Sequence, residues 1–443
     1  MKTKGTVALK CTILIASISI IVFLWGFLIP WEWSYVDEPG FVLANQETLR
    51  THGVLGLFQA AISTTQSLAD VGRVRPAYSV FVHSYLLLGP NLAHAGRLLM
   101  VIGTFIIVLY QLRGRFRYSP HKSTVYSWSL LLLAGNYTLF DGLYWSALSE
   151  LTGVFLVSLG LWTKNSYLKG SLFLLAALGK EPFIWLVLAF SVYEWLSGRR
   201  RSGFLFVSLG ILLSAVIYVQ ARQGSYTSGT STDFVSTILS GAPKVAVAIA
   251  PWALVLVIGT IVLRPKWKPT GLSTVFFVAG TGYLFTVWLW GPQGYLMGPV
   301  AFLCTVALTQ GLVDIKPLFT SRIFVGSFTG ISVVLAFLIV GWSGMKAIER
   351  NDFVVGTREW TLANGSGKVI AVNQIEATVR IAQINEIVWP GWTGTLIDYG
   401  KQPSDFVIVL TDFGEPAFEQ SCEPVESWKR GYIRPTLCNS SIN

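Results

Sequence analysis

Two adjacent carboxylates, Asp37 and Glu38, stand in the stretch Trp31-Glu32-Trp33-Ser34-Tyr35-Val36-Asp37-Glu38-Pro39-Gly40, directly after a long apolar run. Further along come Arg73 and Arg75 of Arg73-Val74-Arg75-Pro76, then Arg97, Asp141, Glu150 and the dipeptide Lys180-Glu181 ahead of Pro182. A carboxylate can take a proton from an attacking hydroxyl or bind a metal ion, and guanidinium or ammonium groups can hold a phosphate or pyrophosphate. Each residue alone has a plainer reading. Arg97 reads as a snorkelling anchor, Lys180 as a helix-end cation, and the acidic pair as a topological feature of a membrane interface. Their weight comes from a single topology that gathers them on one face.

The run before Asp37, from about Ala8 to Ile29, is apolar apart from Lys10 and long enough to cross a bilayer at about 1.5 Å per residue. Carboxylates are costly to hold near lipid, so a pair at the outer end of such a span faces water or a substrate. The run follows Lys2, Lys4 and Lys10, is longer than a signal-peptide core and lacks a small-residue cleavage site, so it reads as a retained anchor. Of 443 residues, 52% are hydrophobic and 13% charged, with a mean hydropathy of +0.56, which marks a polytopic membrane protein.

A net charge of +10 invites a nucleic-acid partner, but its distribution excludes the need for one. Residues 1–342 hold 24 Lys and Arg against 11 Asp and Glu, whereas 343–443 hold 9 against 12. The cations cluster in short loops, such as Arg113/Arg115/Arg117, Lys164/Lys169, Arg199/Arg200/Arg201 and Arg264/Lys266/Lys268. Basic residues in alternate loops are the positive-inside signature. Placing them in the cytoplasm predicts about eleven spans, near 8–29, 97–112, 123–140, 147–163, 169–179, 183–197, 203–221, 245–263, 271–290, 296–312 and 323–342. The N-terminus is then cytoplasmic and the C-terminal segment extracytoplasmic.

On this map the outer face receives the loop 30–96, the segment Phe140–Ser146 leading to Glu150, the Gly179-Lys180-Glu181-Pro182 corner, and Gly291–Pro299. In the first loop, Asn45 to Leu68 carries apolar residues at helical intervals and suits a helix lying along the membrane surface. Ala77 to Leu88 is apolar but too short to span, and reads as a second interfacial helix. The tail, 343–443, changes character: Lys368–Val372 and Phe406–Leu410 are strand-like, with a helix-like stretch at Ile375–Ile387 between them. That order predicts a small extracytoplasmic α/β domain following a transmembrane domain of residues 1–342. Cys422 and Cys438 fall in its last turns, where an oxidising compartment favours a disulfide, two free thiols being the alternative. Cys11 and Cys304 lie in predicted spans as buried fillers.

At these residues the chain resembles the GT-C class of integral-membrane glycosyltransferases, especially its protein O-mannosyltransferase and lipid A aminoarabinose transferase branch. The resemblance runs from Ala8 to about Leu196. In that class an acidic pair follows the first span, as Asp37-Glu38 does. A surface-helix loop then ends in a basic-Pro element like Arg73-Val74-Arg75-Pro76, followed by a short apolar helix, a Gly-containing break like Gly89-Pro90 and an Arg opening the next span, like Arg97. Later come an acidic residue opening a span, like Glu150, and a Lys-X-Pro corner, like Lys180-Glu181-Pro182. Tyr295–Pro299 is similar to the Tyr-Leu-X-X-Pro element of a late span. Two departures stand out: Gln293-Gly294 precede Tyr295 where Arg or His is usual, and the basic-Pro element has one Pro instead of two.

The resemblance implies a polyprenyl-phosphate sugar donor and a lipid, glycan or protein acceptor. It implies Asp37 as the general base and Glu38 as a residue that orients the acceptor or helps bind a divalent cation, the only cofactor in question. Arg73, Arg75, Arg97 and Lys180 are then candidates to neutralise the leaving phosphate, with Glu150 and Tyr295 also lining the substrate site. A transporter or flippase of lipid or glycan is the main rival class, yet the predicted helix centres are largely free of charge and the two halves show no repeat. A surface-glycan polymerase or ligase shares the donor type, and a non-catalytic scaffold is opposed by the acidic pair with Arg73 and Arg75.

Overall fold

The computed structural model describes residues 38–87, 89–116, 149–223, 239, 242, 271–290, 297–311, 345, 348–349, 351–373, 389–398, 403–410, 424–428 and 431–435. The spans predicted at 8–29, 123–140, 245–263 and 323–342 lie outside these residues, as does the helix expected at 375–387.

The outer loop begins with two helices where one was expected, α1 (Glu38–His52) and α2 (Val54–Asp70). The chain breaks between them at Gly53, whose φ of 60° and ψ of −152° lie in a region that a side chain makes costly. The pair then packs tightly: a Cβ on Gly56 would sit 2.3 Å from the Thr48 carbonyl oxygen. Helix α2 buries Ala60 and Ala61 and leaves Val54, Leu55, Phe58 and Ile62 more than half exposed. That uncovered apolar stripe suits a helix resting on the lipid headgroup boundary.

Helix α3 (Pro76–Leu86) takes Pro76 at its first position, where the missing N–H has no partner to lose. It runs only 11 residues, too few to span, and buries Tyr78, Val82 and Leu86 against Val42 of α1 and Ala93. Gly89, with φ of 78°, turns the chain into α4 (Gly89–Phe116). This corrects the expected start at 97. Proline at the second position is an acceptable helix opener, so the break marks the first turn of the span and Arg97 lies two turns inside it.

A compact group follows: α5 (Glu150–Trp162), α6 (Ser166–Gly179), a 3₁₀ turn (Glu181–Phe183), α7 (Ile184–Leu196) and α8 (Arg200–Gln223). Asn165 caps α6 by accepting hydrogen bonds from the backbone N–H of Tyr167 and Leu168 at 2.9 and 3.1 Å. After α8 come α9 (Gly271–Trp290) and α10 (Met297–Gly311), which pack on each other. Among the described residues, three helical segments are long and apolar enough to cross a membrane: Gly89–Gln111, Arg200–Arg222 and Gly271–Trp288. Glycines receive aromatic rings between the helices. Added Cβ atoms at Gly153, Gly160 and Gly170 would meet Phe183, Phe173 and Phe206 at 2.4, 2.5 and 2.2 Å. Such close approach is what small residues supply where water is absent.

The tail carries a helix over 351–364 and five strands: β1 (Val369–Asn373), β2 (Thr395–Asp398), β3 (Phe406–Leu410), β4 (Glu426–Trp428) and β5 (Gly431–Pro435). Their order is β2-β1-β3-β5-β4, with β1 parallel to β2 and β3, and β5 antiparallel to β3 and β4. Phe353 and Val354 of the helix pack with Ile370, Ile408 and Ile433 on one face of the sheet. Ala371, Val407 and Val409 are buried on the other. Central strands hidden on both faces read as continuous apolar runs, as both expected strands did.

Candidate active site

Four charged side chains meet where α3, α5, α6 and α7 begin or end. Arg75 leaves the loop ahead of α3 and donates from Nε to both Glu181 carboxylate oxygens at 2.7 Å. Lys180, in the extended joint after α6, pairs through Nζ with Oε1 of Glu150. All four are between 2% and 8% exposed. Each carboxylate stands at the first residue of a helical segment, where the backbone dipole favours negative charge, and each cation sits in a non-helical joint.

The charges balance within the cluster, which is how burial is tolerated; removing one partner of such a pair costs about 3–5 kcal/mol. Burial, and then the neighbouring Arg75 charge, push the Lys180 ammonium down to about 8, against the pull of Glu150 and Glu181. Burial pushes the Glu181 carboxyl up, but the Arg75 charge and hydrogen bonds, with Lys180, hold it below the ordinary carboxylate range. Arg75 is held above its usual value by Glu181, although burial opposes this.

Phe183 fixes the joint. Its ring fills the notch over Gly153, one turn after Glu150, and meets Tyr283 of α9 edge to face at 5.1 Å. The 3₁₀ turn bearing Glu181 is thereby keyed to the helix bearing Glu150. Beside the cluster, Tyr78, Phe81, Ser149, Thr152, Gly153, Leu156, Ala176 and Gly179 line a narrow crevice.

Helix α1 approaches α3 with its start on the same side. The Phe41 ring meets Tyr78 at 6.1 Å and His83 at 5.4 Å, while Asn45, one turn later, bonds His83. The beginning of α1, at Glu38, and the beginning of α3, next to Arg75, therefore share one end of the helix pair. Of the residues singled out in the sequence, Arg75, Glu150 and Lys180 come together, and Arg73 lies on the same loop as Arg75. Arg97 is fully buried in α4. Asp37, Asp141, Tyr295, Cys422 and Cys438 lie outside the described residues.

Glu181 was among the charged residues singled out in the sequence, but its pairing with Arg75, 106 residues away, was not foreseen. The buried group of Asn45, Thr64 and His83 was not singled out, although three polar residues on otherwise amphipathic helices were its signal. Among the described residues, no group of three or more His, Cys, Asp or Glu side chains gathers as for a metal ion.

No family model matches the sequence, and no curated protein matches it either. Among solved structures, the chain is similar to the crystal structure of ArnT from Cupriavidus metallidurans bound to undecaprenyl phosphate, with 11% sequence identity, 97% of this chain and 98% of that chain covered, and a TM-score of 0.48.

Proposed function

We propose that this protein is a membrane glycosyltransferase that moves a sugar from a polyprenyl-phosphate donor to an acceptor at the extracytoplasmic face. The observation that carries the reading is the buried meeting of Arg75 and Lys180 with Glu181 and Glu150, at the end of the helix group where α1 begins with Glu38. Cations ordered before a ligand arrives need no rearrangement to meet a phosphate, which makes their electrostatic contribution large. Glu150 and Glu181 supply that order.

The chemistry is a single displacement. The acceptor oxygen or nitrogen attacks the anomeric carbon as Asp37 takes its proton, a step worth about 10²–10⁴-fold in rate. The bond from that carbon to the phosphate oxygen breaks, the polyprenyl phosphate leaves with the electron pair, and the anomeric centre inverts. Arg75 and Lys180, with Arg73 and Arg97, offset the charge growing on the leaving phosphate. Glu38 orients the acceptor. The isoprenoid chain stays in lipid, so donor and enzyme meet in the membrane plane, and the 343–443 domain stands on the same outer side.

Identification of the lipid that co-purifies with the protein tests the reading. A polyprenyl-phosphate sugar, and release of polyprenyl phosphate when lipid, glycan or protein acceptors are supplied in bilayers, is the expected result. Passage of the intact sugar-lipid across the bilayer without cleavage would assign the protein to transport instead.

A further inference from the structure

Among the buried titratable groups that the proposed chemistry leaves unused, His83 is bonded through both ring nitrogens to two other helices. It is 1% exposed in the last turn of α3. Its Nδ1 lies 2.5 Å from Oδ1 of Asn45 on α1, and its Nε2 lies 2.8 Å from Oγ1 of Thr64 on α2. Asn45 also donates from Nδ2 to the His83 carbonyl oxygen at 3.0 Å. That second bond settles the proton. With the Asn45 amide nitrogen committed to a carbonyl, its oxygen faces Nδ1, so Nδ1 carries the hydrogen and Nε2 accepts from the Thr64 hydroxyl. Burial pushes the imidazole down to about 4, which keeps this neutral form through the ordinary pH range.

One ring thus ties three helices at a point where α1 and α3 run with their starts on the same side. Asn45 lies two turns after Glu38, and His83 just over two turns after Arg75. We propose that His83 is a positioning residue for the transfer reaction, whose Nδ1 bond to Asn45 sets the start of α1, at Glu38, against the start of α3 and Arg75. The proposal rests on the glycosyltransferase reading. Arg75 and Lys180 are held separately by Glu181 and Glu150, so losing the bond leaves the donor site in place and misplaces the base. Misplacement by about 1 Å is enough to lose about 10²-fold in rate.

Two substitutions separate the two ring nitrogens. His83→Asn places an amide nitrogen near the Nδ1 position and retains the bond to α1, while His83→Gln reaches the Nε2 position and retains only the bond to Thr64. Turnover and donor KM are measured for both in bilayers, per mole of folded protein, with spin-label distances between residues 40 and 84 reporting the α1–α3 geometry. The expected result is that His83→Asn keeps most of its kcat, whereas His83→Gln loses about 10²-fold in kcat with donor KM changed less than about threefold and a broadened distance distribution. Equal losses in the two variants, a rise in KM at constant kcat, or full turnover in His83→Gln would overturn the positioning role while the wild-type protein still transfers sugar. Absence of transfer by the wild type would overturn the functional reading itself, and the role of His83 with it.

Discussion

Arg75 and Lys180 differ from surface cations because each is buried with a carboxylate of its own. Lys180→Met alone leaves Glu150 as an unpaired buried charge and is expected to lower stability by about 3–5 kcal/mol. Adding Glu150→Gln should restore most of it, since a neutral pair of similar size replaces the ions. Donor affinity should stay low in both variants, and comparing denaturation midpoints with donor binding separates the two effects. The Lys180 pKa of about 8 gives a pH test with opposite signs. The folded value lies below the unfolded one, so the unfolded chain binds more protons between about 8 and 10.5, and stability rises with pH across that window. Donor binding that uses the ammonium falls as pH rises through about 8, by about tenfold from pH 7 to 9. At this scale the sequence singled out Arg75, Glu150 and Lys180, because prolines and apolar runs frame them. It did not reveal their pairing, because ion pairs between residues far apart in the chain leave no local pattern.

Helices and their joints decide whether those residues meet. The Gly153–Phe183 notch is the joint's key, and Gly153→Ala would place a methyl carbon 2.4 Å from the Phe183 ring. Overpacking of this kind costs about 1–3 kcal/mol and should shift the turn that carries Glu181. Donor affinity should therefore fall along with stability, and Phe183→Leu in the same chain should recover both in part; thermal midpoints and donor titration check this. Periodicity located α3, α5 to α10 and the strands β1 and β3 because their apolar runs are bounded by Gly, Pro or charge. It merged α1 and α2, since one Gly inside a helical pattern is usually tolerated, and only the backbone angles of Gly53 show that the chain turns there. It also started α4 late by giving Arg97 the place of a helix opener. A buried Arg two turns inside a helix is unusual enough that sequence rules place it at an end.

For the molecule as a whole, sidedness holds the account together. Single cysteines at the exposed positions Leu55 and Ser366 should label from outside intact cells, and one at Arg200 only after the cytoplasm is opened; labelling of residue 200 from outside would invert the map. In the tail, β4 and β5 form an antiparallel hairpin, and an oxidising compartment would favour a disulfide between Cys422 and Cys438, which lie outside the described residues. Non-reducing mass mapping should find those two cysteines linked, and two free thiols would remove the bond. Strands β1 and β3 of the tail were legible because parallel strands are apolar throughout, whereas β4 and β5 are too short and polar to stand out. The central claim, that the Asp37 carboxylate acts on a donor held by the buried cations, is tested most directly by Asp37→Asn in bilayers supplied with a polyprenyl-phosphate sugar. The amide fits the same space but cannot accept the proton, so turnover should fall about 10²–10⁴-fold while donor affinity stays within about twofold of wild type. Full turnover by Asp37→Asn would contradict the claim.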